Sequence, residues 1–150
     1  MIALRPMSQE RHDKWASTLW QVYYQELIRA GFSEEYAREN SAEDLNNSIE
    51  FGKLQPGNFV LEAVYQDQAI GNVWLVQKNT EWWIYDIEVD DVHRGEGLGR
   101  ATLRAIERFA SEQGGEKLNL SVFGFNKVAR NLYESEGFNT VRIQMSKQLS

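Results

Sequence analysis

The stretch WWIYDIEVDDVHRGEGLGRATLRAIERFA, residues 82–110, decides the fold. Trp82–Val89 is a β-rich run, largely apolar on both sides of its alternation, as suits a central strand covered on each face. Leu98, Ala101, Ala105, Ile106, Phe109 and Ala110 recur at helical spacing, which predicts a helix over Gly97–Gln113 ended by Gly114-Gly115. Between the two lies Arg94-Gly95-Glu96-Gly97-Leu98-Gly99-Arg100. A glycine-rich turn from a strand into a helix presents unpaired N–H groups and the positive end of the helix dipole. That is an anion site, and pyrophosphate is its usual guest. Arg94 and Arg100 can add charge-assisted contacts.

The spacing separates the nucleotide motifs. A dinucleotide fingerprint needs G-x-G-x-x-G/A, but counting on from Gly95 ends at Arg100 and from Gly97 at Thr102. A P-loop needs a lysine after its last glycine, and none follows here. What remains is R-x-x-G-x-G, or a glycine turn that holds no ligand.

Working outward, Phe59–Tyr65, Ile70–Val76 and Trp82–Val89 alternate as strands joined by the tight connections Gln66-Asp67-Gln68 and Lys78-Asn79-Thr80, an antiparallel meander. On the N-terminal side, Ile2–Leu4 reads as a short strand ended by Pro6. Ser8 caps a helix with the stripe Trp15, Leu19, Val22, Tyr23, Leu27, stopped by Gly31. Ser33 opens a second, polar helix reaching about Leu45 or Phe51. On the C-terminal side, Leu118–Val122 is a short strand and Asn126 caps a helix bearing Val128, Ala129, Leu132 and Tyr133. Val141, Ile143 and Met145 then alternate as a last strand. The order β-α-α-β-β-β-α-β-α-β predicts an α+β (mixed α/β) domain, with about four helices on the faces of one sheet.

The chain's 150 residues suit one domain, residues 1–150. Zero cysteines exclude a disulfide scaffold, a thiolate metal site and a cysteine nucleophile, and His12 and His93 alone make no multi-histidine centre, so no metal is expected. The apolar runs are too short to span a bilayer and no cleavable signal opens the chain, so a cytoplasmic protein without a membrane partner is expected. A net charge of −6 argues against nucleic acid. Six basic against eleven acidic residues in the first 75 leave that half at −5, a balance suited to a cationic substrate or simply to solvated helix faces.

Two motifs in order carry a resemblance. Arg94, Gly97 and Gly99 after Asp86-Ile87-Glu88-Val89-Asp90, and then Asn126, Ala129, Leu132-Tyr133-Glu134 and Gly137-Phe138, look like the two signatures of the GNAT superfamily of N-acetyltransferases. The likeness covers residues 57–150 well and residues 1–50 loosely. It implies a central, mostly antiparallel twisted sheet whose strands at Trp82–Val89 and Leu118–Val122 splay apart. Acetyl-CoA would enter the gap, its pantetheine bonding backbone groups of Ile87 and Val89. The amides of Gly95, Glu96, Gly97, Leu98, Gly99 and Arg100, with Arg94, would hold the pyrophosphate. Asn126 and Ala129 would line the other wall, Arg130 would approach the nucleotide, and coenzyme A would leave as product.

The resemblance also implies direct attack of an amine on a thioester. A lysine-like amine is mostly protonated at pH 7, so a base must take its proton. Asp86 and Glu88, two residues apart on one strand face, are the candidates, Glu88 ahead of Asp86 and Glu81 remote. A fixed N–H should meet the thioester oxygen, and the backbone of Val89 is placed for it. Tyr133, at the family's tyrosine position, is the expected acid for the thiolate; an ordinary core aromatic is its other reading.

Trp20, Tyr23, Tyr24, Glu26 and Phe32, with Trp82 and Trp83, are expected to wall an acceptor site, though the same aromatics also suit a core. The acceptor is then a small-molecule or peptide amine, and edge strands near Val141–Met145 suggest a homodimer. The alternative to an enzyme is a catalytically silent CoA-binding module of the same fold.

Overall fold

The computed structural model describes residues 1–50 and 53–149, with side chains at 1–41 and 55–149. The elements run β1 (Ala3–Pro6), α1 (Gln9–Arg29), α2 (Glu34–Ser48), β2 (Ile49–Glu50), β3 (Lys53–Leu54), β4 (Asn58–Tyr65), β5 (Gln68–Lys78), β6 (Glu81–Val89), α3 (Leu98–Glu112), β7 (Lys117–Leu120) and α4 (Lys127–Ser135). A 3-10 turn, Asp91–His93, follows β6.

Five strands form one sheet in the order β1-β4-β5-β6-β7, every pair antiparallel except β6 with β7. The meander is as the alternation predicts, and the parallel pair is the crossover that α3 makes necessary. Pro6 ends β1 as expected, pairing with Leu61 as the strand's last residue, tolerated because β1 is an edge and needs no donor there. The small β2–β3 hairpin was not anticipated. The expected strand at Val141–Met145 does not form: residues 139–149 have no regular structure, and Val141, Ile143 and Met145 are 84%, 68% and 85% exposed. Alternation supplies a strand's face but not a hydrogen-bonding neighbour, and among the described residues no strand pairs with this segment.

Each face of the sheet carries its own core. On one, Leu103, Ile106 and Ala110 of α3 pack on Leu61, Val73, Leu75, Trp82 and Ile84, with Leu132, Tyr133 and Phe138 added by α4 and the turn after it. Leu103 and Ile106 are fully buried, and each such side chain contributes roughly 1.5–3 kcal/mol. On the other, Trp15 of α1 packs on Val60, Trp74 and Val76, its ring edge-on to Trp74 at 5.6 Å. Two charged anchors fix α1 there. Arg11 reaches Asn72 and grips both oxygens of Asp90 at 2.7 and 2.8 Å. Glu62, 2% exposed, accepts from Arg5 and from the amide of Ser8, the α1 N-cap.

A register shift decides what β6 presents. Trp74 pairs with Asp86 but Leu75 with Ile84, so Tyr85 is an extra residue, a β-bulge. Before it Trp82 and Ile84 face α3; after it Ile87 and Val89 do. Asp86 is thereby turned to the α1 face. An unbulged strand would drive its carboxylate into the α3 core.

Candidate active site

The site forms where β6 loses its neighbour. Pairing with β7 runs only from Glu81↔Lys117 to Ile84↔Leu120, so the second half of β6 has an open edge. The Asp90 N–H donates to Ile70 across β5. Because N–H groups alternate along a strand, those of Val89 and Ile87 point into the gap. Gly71 of β5 lets the strands close up here, since a Cβ on it would run into the Glu88 carbonyl.

After the 3-10 turn, Gly95 and Gly97 have φ of 80° and 76°, the left-handed region that favours glycine. Gly97 is the N-cap of α3 and caps no N–H with a side chain. Among the described residues, no N–H of residues 95–100 bonds a carbonyl outside the helix. These orphan donors fit a pyrophosphate. The guanidinium groups are otherwise engaged. Arg94 pairs with Asp91 at 2.7 Å and Glu88 at 3.5 Å and donates to the Val89 carbonyl. Arg100 donates to Ser135 and Glu136, which Arg104 also contacts, clamping α4 onto α3.

Opposite the gap, the Asn126 side chain accepts from the Ala129 amide as α4's cap, and Arg130 reaches back to the Gly124 carbonyl. Tyr133, one turn beyond Ala129, is half-buried, edge-on to Phe138 at 5.8 Å. Among the described residues its hydroxyl makes no hydrogen bond. Burial raises its pKa, and the charges of Asp86 and Glu26 raise it further, so the phenol keeps its proton.

The carboxylates differ. Asp86 accepts from the indole N–H of Trp15 at 2.8 Å. Burial drives its carboxyl up to about 6; the Trp15 bond opposes this, and Glu88 and Glu26 add to it. Glu88 is half-exposed beside Arg94. Glu26 of α1 is raised by burial, lowered by Arg29 and raised by Glu88. Asp86, Glu88, Glu26 and Tyr133 thus act on one another from three elements.

Residues 15–138 match the model of the Acetyltransferase (GNAT) family. The chain is a GNAT acetyltransferase. It is 29% identical over 154 residues to the Bacillus subtilis uncharacterized N-acetyltransferase YycN, covering 99% of each chain, and 28% identical over 152 residues to YdgE of the same organism, covering 97% of each. The crystal structure of YycN superposes with a TM-score of 0.91, covering 100% of this chain and 99% of that one at 28% identity. The PaiA N-acetyltransferase of Thermoplasma acidophilum, solved with coenzyme A, shares the fold at a TM-score of 0.67 and 19% identity, covering 96% and 93%.

Two residues considered for this acetyltransferase's site lie elsewhere. Trp82 is fully buried under α3, not on an acceptor wall, because it precedes the bulge. Glu81 sits at the far end of β6 with Lys117 and Asn119, too remote to act as the base. Phe32 stacks on Tyr36, and Trp20 is 41% exposed. His93 lies 4.0 Å from Glu96 beside the loop, and His12 packs on the Trp15 ring. Trp15 itself was missed as a site residue. Its signal was available: a buried indole needs an acceptor for its N–H. Arg29 and Phe125, which stack on each other in a neighbouring cleft, were not singled out either, and nothing in their local pattern marks them.

Proposed function

We propose that this acetyltransferase moves the acetyl group of acetyl-CoA to a primary amine by direct attack, with Asp86 as base and Tyr133 as acid. When bound, acetyl-CoA supplies an acetyl group activated as a thioester. The open edge of β6 at Ile87 and Val89 suits the pantetheine, and the free N–H groups of residues 95–100 suit the pyrophosphate. Arg94 and Arg100 contribute there through backbone and loop shape, since their side chains are paired. Asn126, Ala129 and Arg130 line the facing wall. The complex of the PaiA neighbour with coenzyme A supports the same donor here.

In the transfer, Asp86 takes the proton of the acceptor ammonium, freeing the nitrogen lone pair. A C–N bond forms at the thioester carbon while the Val89 N–H meets the oxygen. The C–S bond then breaks and the electron pair leaves on sulfur. Tyr133 protonates it and takes back the second proton of the attacking nitrogen, leaving a neutral amide, while Asp86 releases the first proton to solvent. Asp86 is preferred over Glu88 because a carboxyl near 6 is poised between proton acceptance and ionisation at neutral pH, whereas Glu88 is committed to Arg94. The observation that carries the reading is the opening of β6 from β7, with Asp86 and Tyr133 beside the gap.

Thermal unfolding with acetyl-CoA, coenzyme A, NAD and ATP tests it, since a ligand at 100 times its Kd stabilises by about 2.7 kcal/mol. Stabilisation by the coenzyme A pair alone is expected, followed by amine-dependent thiol release. Binding without thiol release from any amine would identify a silent binding module instead.

A further inference from the structure

A cleft of about 470 Å³ lies between α1 and the start of α4, lined by Glu26, Arg29, Phe125, Asn126, Lys127 and Val128. Its one acidic lining residue is Glu26, which is within electrostatic reach of Glu88, Asp86 and Tyr133. The cleft's basic lining residues, Arg29 and Lys127, are both solvent-exposed. Arg5, Arg11, Arg94, Arg100, Arg104 and Arg130 each pair with a carboxylate. Among the described residues Arg29 forms no salt bridge, and its charge is felt only by Glu26, three residues earlier on α1. Its guanidinium instead lies on the Phe125 ring, 4.1 Å from the centroid, and Phe125 is held by stacking on Phe123 at 5.4 Å.

A guanidinium stacked on an aromatic face spends none of its N–H donors, which lie in its plane and are free to bond a carboxylate in bidentate fashion. We infer that the acceptor is a small molecule bearing a carboxylate as well as its amine, with Arg29 binding the carboxylate at the cleft mouth and Glu26 guiding the ammonium inward toward Asp86. One carboxylate, Glu26, facing toward the charges of Asp86 and Glu88, beside the exposed cations Arg29 and Lys127, matches the two charges of a zwitterion. A polyamine would meet Arg29 and Lys127 with its second cation. Lys127 supports the same anion as a point charge. This inference rests on the cleft being an amine-acetylating site.

The test uses the full chain and acetyl-CoA, reading thiol release with β-alanine, 4-aminobutyrate and L-lysine, each beside its amide and its decarboxylated amine. The carboxylated acceptors are expected to have a kcat/KM at least tenfold above their partners. In R29Q that preference should collapse toward one through KM, with R29K partly restoring it and the Kd for acetyl-CoA kept. Equal or better use of the amides by the wild-type chain overturns the inference while leaving amine acetylation standing. A rise in the acetyl-CoA Kd of R29Q, in place of the acceptor effect, assigns the anion to the cofactor and also overturns it. Thiol release with none of these amines, despite acetyl-CoA binding, overturns the reading of the site itself.

Discussion

The indole N–H of Trp15, near the start of α1, donates to Oδ2 of Asp86 on β6 across 2.8 Å, joining the first helix to the carboxylate the bulge turns toward it. That bond favours the charged carboxylate, against the burial that raises its pKa to about 6. Trp15→Phe removes the donor and keeps an aromatic ring. The acidic limb of the kcat/KM–pH profile is expected to move up by about one unit, a hydrogen bond to a charged group being worth roughly 1.5–3 kcal/mol. A purely packing role for Trp15 would lower Tm and leave the limb where it is.

Asp86→Asn should separate stability from activity. A carboxyl raised from 3.8 to about 6 on folding is favoured in its protonated form, so the folded chain loses stability as pH rises from about 4 to 6 and the loss is complete above. At pH 7 that loss is about 3 kcal/mol. Asparagine keeps an oxygen for the Trp15 indole and carries no charge. The variant is expected to melt higher than the wild type at pH 7, to lose that advantage near pH 4, and to have kcat lowered about 100-fold or more. Equal melting at both pH values would contradict the burial argument.

Tyr133→Phe keeps the ring that packs edge-on against Phe138 and removes only the hydroxyl. Turnover should fall by about 100-fold with the acetyl-CoA Kd nearly unchanged. Full activity would mean that water protonates the departing thiolate.

The meander, the α3 stripe and both caps at Ser8 and Asn126 were legible because each is a local pattern with a local cause. The left-handed glycines and unpaired N–H groups of the glycine loop were legible because they follow from local backbone geometry. The bulge at Tyr85 was not, since it arises from how β5 and β6 share a register, and it decides that Trp82 faces the α3 core while Asp86 faces α1. Glu26 was suspected beside aromatics, but its reach to Glu88 depends on how α1 lies across the sheet, which Arg11 and Glu62 set from far away in sequence. The tail at 139–149 misled for a related reason: its alternation is real, and its partner is what a single stretch cannot supply.

Gly97→Asp should abolish binding of acetyl-CoA. Gly97 holds φ of 76° with nothing within 4 Å of a Cβ, so the variant folds with strain of roughly 1–2 kcal/mol and no clash. The new carboxylate would sit at the α3 N-terminus, where the phosphates are proposed to bind, and repel them. Calorimetric titration checks this, and Gly97→Ala separates strain from charge: alanine should weaken binding modestly, aspartate completely. Equal affinities in both variants would remove the phosphates from this loop.

Glu62 makes acid stability a reporter of how α1 is held. Burial by itself raises its carboxyl, but the Ser8 amide and then Arg5 outweigh this and hold it below the ordinary glutamate range. A depressed carboxyl contributes stability that is present above its unfolded pKa and is lost as pH falls through the folded one. Glu62→Gln should therefore lower Tm at pH 7 by roughly 3 °C or more, and the gap to the wild type should close on acidification below about pH 4. Because Ser8 caps the helix that carries Trp15 and Glu26, the same variant is expected to raise KM for the amine more than it changes the acetyl-CoA Kd. A stability loss with no change in amine KM would show that Arg11, through Asp90 and Asn72, is enough to hold α1 over Asp86.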